Sequence, residues 1–152
     1  MAEKLSPESL AEKVEFGGEL RGYHDPESET REYWDGAKRN ELLIKKCQDC
    51  GKVLHPRRQA CGDCRSLNLQ WTKSSGKGTV YSFSVVYRPP TPQWADKIPY
   101  IVGIIELEEG VYLFSNVLCD PETIRINLPV TVVFQKEEDG ERVLPKFKPQ
   151  AE

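Results

Sequence analysis

Four cysteines stand in two identical spacings, Cys47-Gln48-Asp49-Cys50 and Cys61-Gly62-Asp63-Cys64, with ten residues between the pairs. Thiolates are soft ligands, and two C-x-x-C pairs at this separation predict a four-sulfur tetrahedral metal site. Zinc fits best, because a d¹⁰ ion imposes no geometry and four protein ligands leave no coordination position open for chemistry. Iron for electron transfer and a redox disulfide pair are the alternatives. Nothing else in the chain supplies a redox partner site, so the reading is a structural metal. Each pair needs a tight turn, and Gly51 and Gly62, which follow ligands, are expected to supply positive φ. A 31-residue segment has too little apolar content for its own core, so the metal would provide most of its folding free energy.

Bond-making groups are scarce elsewhere. An active site needs a nucleophile or base with a partner that tunes it. His24 sits among acids near the N-terminus, and His55, between the cysteine pairs, reads as a packed ribbon residue. Cys119 ends a strand pattern and reads as a small buried hydrophobe. Glu106, Glu108 and Glu109 read as a solvated hairpin, and Gly76-Lys77-Gly78 is too short for a phosphate loop. Catalysis by this chain alone is not supported. Association is better served. The loop Arg88–Pro99 carries Trp94 among prolines that reduce the entropy lost on docking. The tail LPKFKPQ is expected to expose Phe147 between lysines, and Tyr33 and Trp34 lack an obvious local core.

These groups are positioned by segments of different character. The 152 residues carry 21 Lys plus Arg and 24 Asp plus Glu, a net charge of −3. Residues 1–27 form an acidic segment, expected to be flexible, with a short helix at most over Pro7–Lys13. Residues 28–44 read as one or two short helices with an aromatic face, broken at Gly36. Residues 45–75 are the metal ribbon. Residues 76–152 change to period two: Tyr81, Phe83, Val85 and Tyr87 alternate on what should be one buried face. Two further strands, YIVGIIEL and VYLFSNVL, join through Glu108-Glu109-Gly110 as a hairpin. VTVVFQ is a fourth strand, followed by a turn at Glu138-Asp139-Gly140-Glu141. RVLPKF is the fifth, placed at an edge by Pro145. The fold expected is mainly β, with a short N-terminal helical segment, a rubredoxin-like zinc ribbon and a five-stranded OB-type barrel.

Charge and composition limit the partners. The ribbon carries seven basic and two acidic residues, but four thiolates and one Zn²⁺ lower its balance to +3. The barrel segment is −3, whereas single-strand-binding OB modules interleave aromatics with a basic groove. A single-stranded nucleic-acid-binding OB module is therefore the alternative reading, and nucleic acid is disfavoured. No apolar run approaches a membrane span and no secretory signal is visible, so a cytoplasmic protein without membrane contact is expected.

The stretches YWDGAKRNELLIKKCQDCGKVLHPRRQACGDCRS, GKGTVYSFSVVYRPPTPQWADKIPYIVGIIELEEG and VTVVFQ…LPKFKP resemble the group called domain of unknown function thirty-five. The resemblance runs from about Tyr33 to Pro149. It implies an accessory subunit of thiolase-superfamily enzymes acting on acyl-CoA thioesters. Members are small partners in acetoacetyl-CoA thiolase assemblies, steroid side-chain retro-aldolases, acyl-phloroglucinol acetyltransferases and the benzoylsuccinyl-CoA thiolase of anaerobic toluene breakdown. The short chain suits the first or last, with the aromatic-degradation case favoured. The resemblance further implies a thiolase-like catalytic partner in a hetero-oligomer such as a heterotetramer. That partner would be the main binder of the coenzyme A thioester and would bring the catalytic cysteine and histidine. By position, Cys47, Cys50, Cys61 and Cys64 would bind Zn²⁺. Arg88, Trp94, Ala95, Tyr100, Phe147 and Lys148 would meet the partner or the acyl-CoA.

Overall fold

The computed structural model describes residues 29–137 and 140–151. The acidic segment 1–27, the helix expected over Pro7–Lys13, His24, and residues 138 and 139 of the expected turn lie outside the described residues.

The helix α1, Arg31–Lys38, has Glu32 in its first turn and Lys38 in its last, both favourable to the helix dipole. Trp34 Nε1 donates to Thr30 Oγ1 at 3.2 Å, tying the indole to the helix entrance. Gly36 does not break the helix. It is buried within it, and a Cβ there would lie 2.8 Å from the side chain of Leu43, so a bare Cα allows this close packing. The helix stops at Lys38, with Asn40 just beyond it at φ 61°. The helical reading of residues 28–44 is thus corrected at its end. Leu42, Leu43 and Ile44 are 2%, 8% and 1% exposed, and a run buried on both faces suits a central strand better than an amphipathic helix.

That strand is β1, Leu43–Cys47, and it lies between β2 (Val53–Leu54) and β3 (Leu69–Lys73) in an antiparallel three-stranded sheet. Lys45 opposes Leu54 on one side and Trp71 on the other. Its buried ammonium donates to Arg58 O at 2.8 Å and lies 4.6 Å from the Trp71 ring centroid. Burial lowers the Lys45 pKa below its ordinary value, with Glu29 opposing the shift.

The remaining strands are β4 (Lys77–Val86), β5 (Tyr100–Leu107), β6 (Tyr112–Val117), β7 (Pro129–Lys136) and β8 (Val143–Pro149). They close a barrel in the order β4-β5-β6-β8-β7. Two expectations change here. A bulge between Val80 and Ser82 resets the alternation of β4. Val80 is fully buried, Phe83 and Val85 are partly buried, and Tyr81 and Tyr87 turn out to solvent. Secondly, β8 is no edge strand: it lies between β6 and β7. Its only bridge to β6 is the parallel pair Val117↔Phe147, and at Pro145 the ladder gives way to Ser115 Oγ donating to Pro145 O at 2.7 Å. The proline ring nitrogen faces this gap, so its missing N–H leaves no ladder bond unmade.

Phe147 is wholly buried and belongs to the core. The expectation that it is presented to a partner is therefore wrong. In a strand, Lys146 and Lys148 must face away from it, so flanking lysines mark an inward phenylalanine. One core unites the modules, since Leu42 and Ile44 pack with Val80, Ile105, Val130 and Phe147. The linker into the barrel is also fastened. Ser74 Oγ and the Ser75 N–H donate to Glu109 at 3.0 and 2.6 Å, and Ser75 Oγ donates to Glu108 at 3.1 Å. No helix among the described residues is long and apolar enough to cross a membrane.

Candidate metal centre and partner surfaces

Two copies of one backbone turn build the sulfur cluster. Cys47 N–H donates to Lys52 O and Gly51 N–H to Cys47 O; Cys61 N–H donates to Ser66 O and Arg65 N–H to Cys61 O, all at 2.8–3.0 Å. The left-handed position follows the second cysteine of each turn: Gly51 has φ 78° and Arg65 φ 61°. Gly62 holds the place of Gln48 and does not adopt positive φ, which corrects the role expected for it. The knuckles brace each other crosswise. Asp49 of the first accepts hydrogen bonds from Ser66 Oγ and, at 3.1 Å, from Asn68 Nδ2. Asp63 of the second pairs with Lys52 at 2.6 Å.

All four Sγ atoms lie within 4.8 Å of one another, with Cys47–Cys64 at 3.6 Å and Cys50–Cys61 at 3.5 Å. A tetrahedron with metal–sulfur bonds of ~2.3 Å has edges of about 3.8 Å, so the donor set is positioned to bind a metal ion. Cys47 and Cys61 are buried, beside Leu54 and Leu69, while Cys50 and Cys64 are exposed. Electrostatics agree with this geometry. N–H groups of Cys64 and Asp63 lower the Cys61 thiol to about 7, and those of Cys50 and Asp49 lower Cys47. The Ser66 N–H favours the Cys64 thiolate, but partial desolvation by the surrounding knuckle and the sulfurs of Cys50, Cys47 and Cys61 outweigh it and push that thiol to about 12. For Cys50 the Lys52 N–H also favours the thiolate, while the sulfur of Cys61 opposes it and the net shift is upward. Four mutually repelling thiolates are compatible only around a cation.

The other expected site residues are dispersed. Trp94 and Ala95 lie in a 3-10 turn, Pro92–Lys97, and Tyr100 opens β5. The Trp94 and Tyr100 rings are 5.1 Å apart, and Lys97 Nζ is 5.3 Å from the Trp94 ring centroid. Trp94, Lys97 and Tyr100 border a cavity of ≈ 310 Å³ that also reaches Cys119 and Lys146. Arg88, Ala95 and Lys148 are exposed and do not line it. Lys97 was missed by sequence reasoning, although its place three residues after Trp94 in a tight turn was a usable signal. His55 is a half-buried ribbon residue whose Nδ1 accepts from the Arg57 N–H at 3.1 Å. Burial, then Arg57 and Arg58, lower its pKa.

A second cavity, ≈ 230 Å³, opens where the modules meet: Trp34 of α1, His55 and Pro56 of the ribbon, and Leu113, Phe114 and Pro145 of the barrel are among its walls. Beside it, the outward side chains of β4, β5 and β6 form an apolar face. Tyr81, Ile104, Tyr112 and Phe114 are 55%, 37%, 45% and 73% exposed. Sequence reasoning missed this face too.

Comparison with known proteins matches residues 34–70 to a ChsH2 rubredoxin-like zinc ribbon domain and residues 71–135 to a ChsH2 C-terminal OB-fold domain. A DUF35 domain-containing scaffold protein of Methanothermobacter thermautotrophicus is 42% identical over 118 residues, covering 73% of this chain and 88% of that one. Benzoylsuccinyl-CoA thiolase subunit BbsA of Thauera aromatica is 26% identical over 100 residues, covering 66% and 67%. The solved Ltp2-ChsH2(DUF35) aldolase contains a chain similar at a TM-score of 0.71 and 34% identity, covering 79% of this chain and 93% of that one.

Proposed function

The chain belongs to the ChsH2 family, also known by its DUF35 domain, and from that premise we propose that it is a zinc-binding, non-catalytic accessory subunit of a thiolase-type acyl-CoA enzyme complex. The observation that carries this reading is the 34% identity and 0.71 TM-score to a chain of the Ltp2-ChsH2(DUF35) aldolase. Similarity to a protein named as a benzoylsuccinyl-CoA thiolase subunit supports a thiolase-type partner. The 42% identity to a scaffold protein against 26% to BbsA gives no preference to aromatic degradation as the pathway.

Within that role the residues divide their tasks. Cys47, Cys50, Cys61 and Cys64 hold the ion, and bound zinc supplies a rigid cross-link with no open coordination position. The barrel carries the exposed loop. Trp94 and Tyr100 offer aromatic surface at the 310 Å³ cavity, with Lys97 beside them, where the chain borders the partner's acyl-CoA; Arg88, Ala95 and Lys148 are exposed and are further contacts in this reading. A cation there would meet CoA phosphates through charge-assisted hydrogen bonds. The catalytic cysteine and histidine belong to the partner, in a hetero-oligomer.

Co-purification with a thiolase-like protein from the same genome tests this. A stable hetero-complex whose thiolytic activity depends on both chains is expected. A chain that binds no such protein contradicts it.

A further inference from the structure

Resting on the proposed function, the remaining question is which surface meets the catalytic subunit. Ile104 and Phe114 are cross-strand partners, and Tyr81 and Tyr112 stack edge to face at 5.0 Å, so the four exposed side chains form one patch. At roughly 200 Å² per side chain these exposures amount to about 400 Å² of largely apolar surface, the size of the largest patch on a typical monomer, which is often functional. The outward positions Ser82, Ser84, Val102, Glu106 and Asn116 complete the face. Of these outward positions only Glu106 is charged, and it accepts from Tyr112 Oη at 2.9 Å; Lys77, exposed at the start of β4, stands at the margin of the face.

We infer that this β4–β5–β6 face docks the thiolase-like catalytic subunit, with one bulky apolar side chain of that subunit seated in the adjoining 230 Å³ cavity. Phe114 belongs to both features, which makes them one continuous surface. Interface cores are enriched in Tyr, Phe and other anchors and depleted of charge. A standard interface takes about 800 Å² per partner, so the patch supplies the core and a polar rim the rest. A nucleic acid is a poorer occupant, because stacking platforms interleave aromatics with cations, whereas here the cations stand at the margin: Lys77 at the start of β4 and Arg57 and Lys146 in the cavity wall. The ribbon wall of the cavity, His55 and Pro56, lies between the two cysteine pairs, so the metal-clamped ribbon shapes the anchor site.

The test measures binding of the thiolase-like protein from the source genome to the full-length, metal-loaded chain. Phe114→Asp and Tyr112→Lys are compared with Ile126→Asp, an exposed apolar residue off the face. Metal content and thermal midpoint check that each variant folds. Both face variants should weaken binding about tenfold or more, and Ile126→Asp should stay within about twofold. If the wild type binds and the face variants bind equally well, the inference falls while the proposed function stands. If the wild type does not bind, both fall. Self-association or oligonucleotide binding by the wild type, abolished by Phe114→Asp, would assign the face to a second copy or to nucleic acid and overturn this occupant.

Discussion

Gly51 and Gly62 follow cysteines in nearly identical turns, yet only Gly51 sits at positive φ. Gly51→Ala should therefore cost about 1–2 kcal/mol from left-handed strain alone. Gly62→Ala meets no atom within 4 Å and should stay within about 0.5 kcal/mol. Denaturant unfolding of the metal-loaded protein distinguishes them. The clustering of the four cysteines was legible because spacing alone reports a C-x-x-C knuckle. Which position needs φ > 0 was not, since Arg65 adopts it without being glycine. Phe147 was legible in principle, because Lys-Phe-Lys is an alternating pattern as well as a charged one. His55 yields a pH prediction. Its pKa is depressed in the folded state, so its contribution to stability is fully present above the unfolded value of ~6.5 and lost as pH falls towards the lower folded value. An NMR titration should find His55 titrating below 6.5, with its pKa rising in Arg57→Gln as one repelling charge is removed.

Among the elements, the strands were recognisable from period two, but their faces were not. A bulge shifts the phase of β4 at Tyr81, and propensity gives no sign of it. In β6 both phases are apolar, with Leu113 inward and Tyr112 and Phe114 outward, so alternation could not separate the core face from the exposed one. The closure of the barrel depends on the sparse β6–β8 seam. Ser115→Ala removes the hydroxyl bond to Pro145 O and should cost about 0.5–1.5 kcal/mol in thermal or denaturant unfolding. The linker is held by the β5–β6 hairpin instead of being a free tether. Glu109→Ala should accelerate amide exchange at Ser75, whose N–H it binds, while Ile105 and Val130 in the core keep their protection.

For the whole molecule, ribbon and barrel share a core but differ in what stabilises them. The ribbon has a small cluster around Cys47, Leu54 and Cys61, whereas the barrel buries most of the apolar residues. Removing the metal with a chelator should release the ribbon, expose the cavity wall at His55 and Pro56, and weaken partner binding. Amides of Val80 and Val130 should remain protected, and their loss would mean that the metal supports the barrel as well. The order of modules was legible because cysteine spacing and strand count are local signals. The junction cavity was not, since its walls come from residues up to 116 positions apart, Thr30 to Lys146. The division of labour between two polypeptides is tested most directly by steady-state thiolysis of a β-ketoacyl-CoA with free CoA. The purified chain, its thiolase-like partner and their mixture are compared at equal concentrations. Turnover should be absent with this chain alone and greatest in the mixture; sustained thioester turnover by the pure chain would contradict the account.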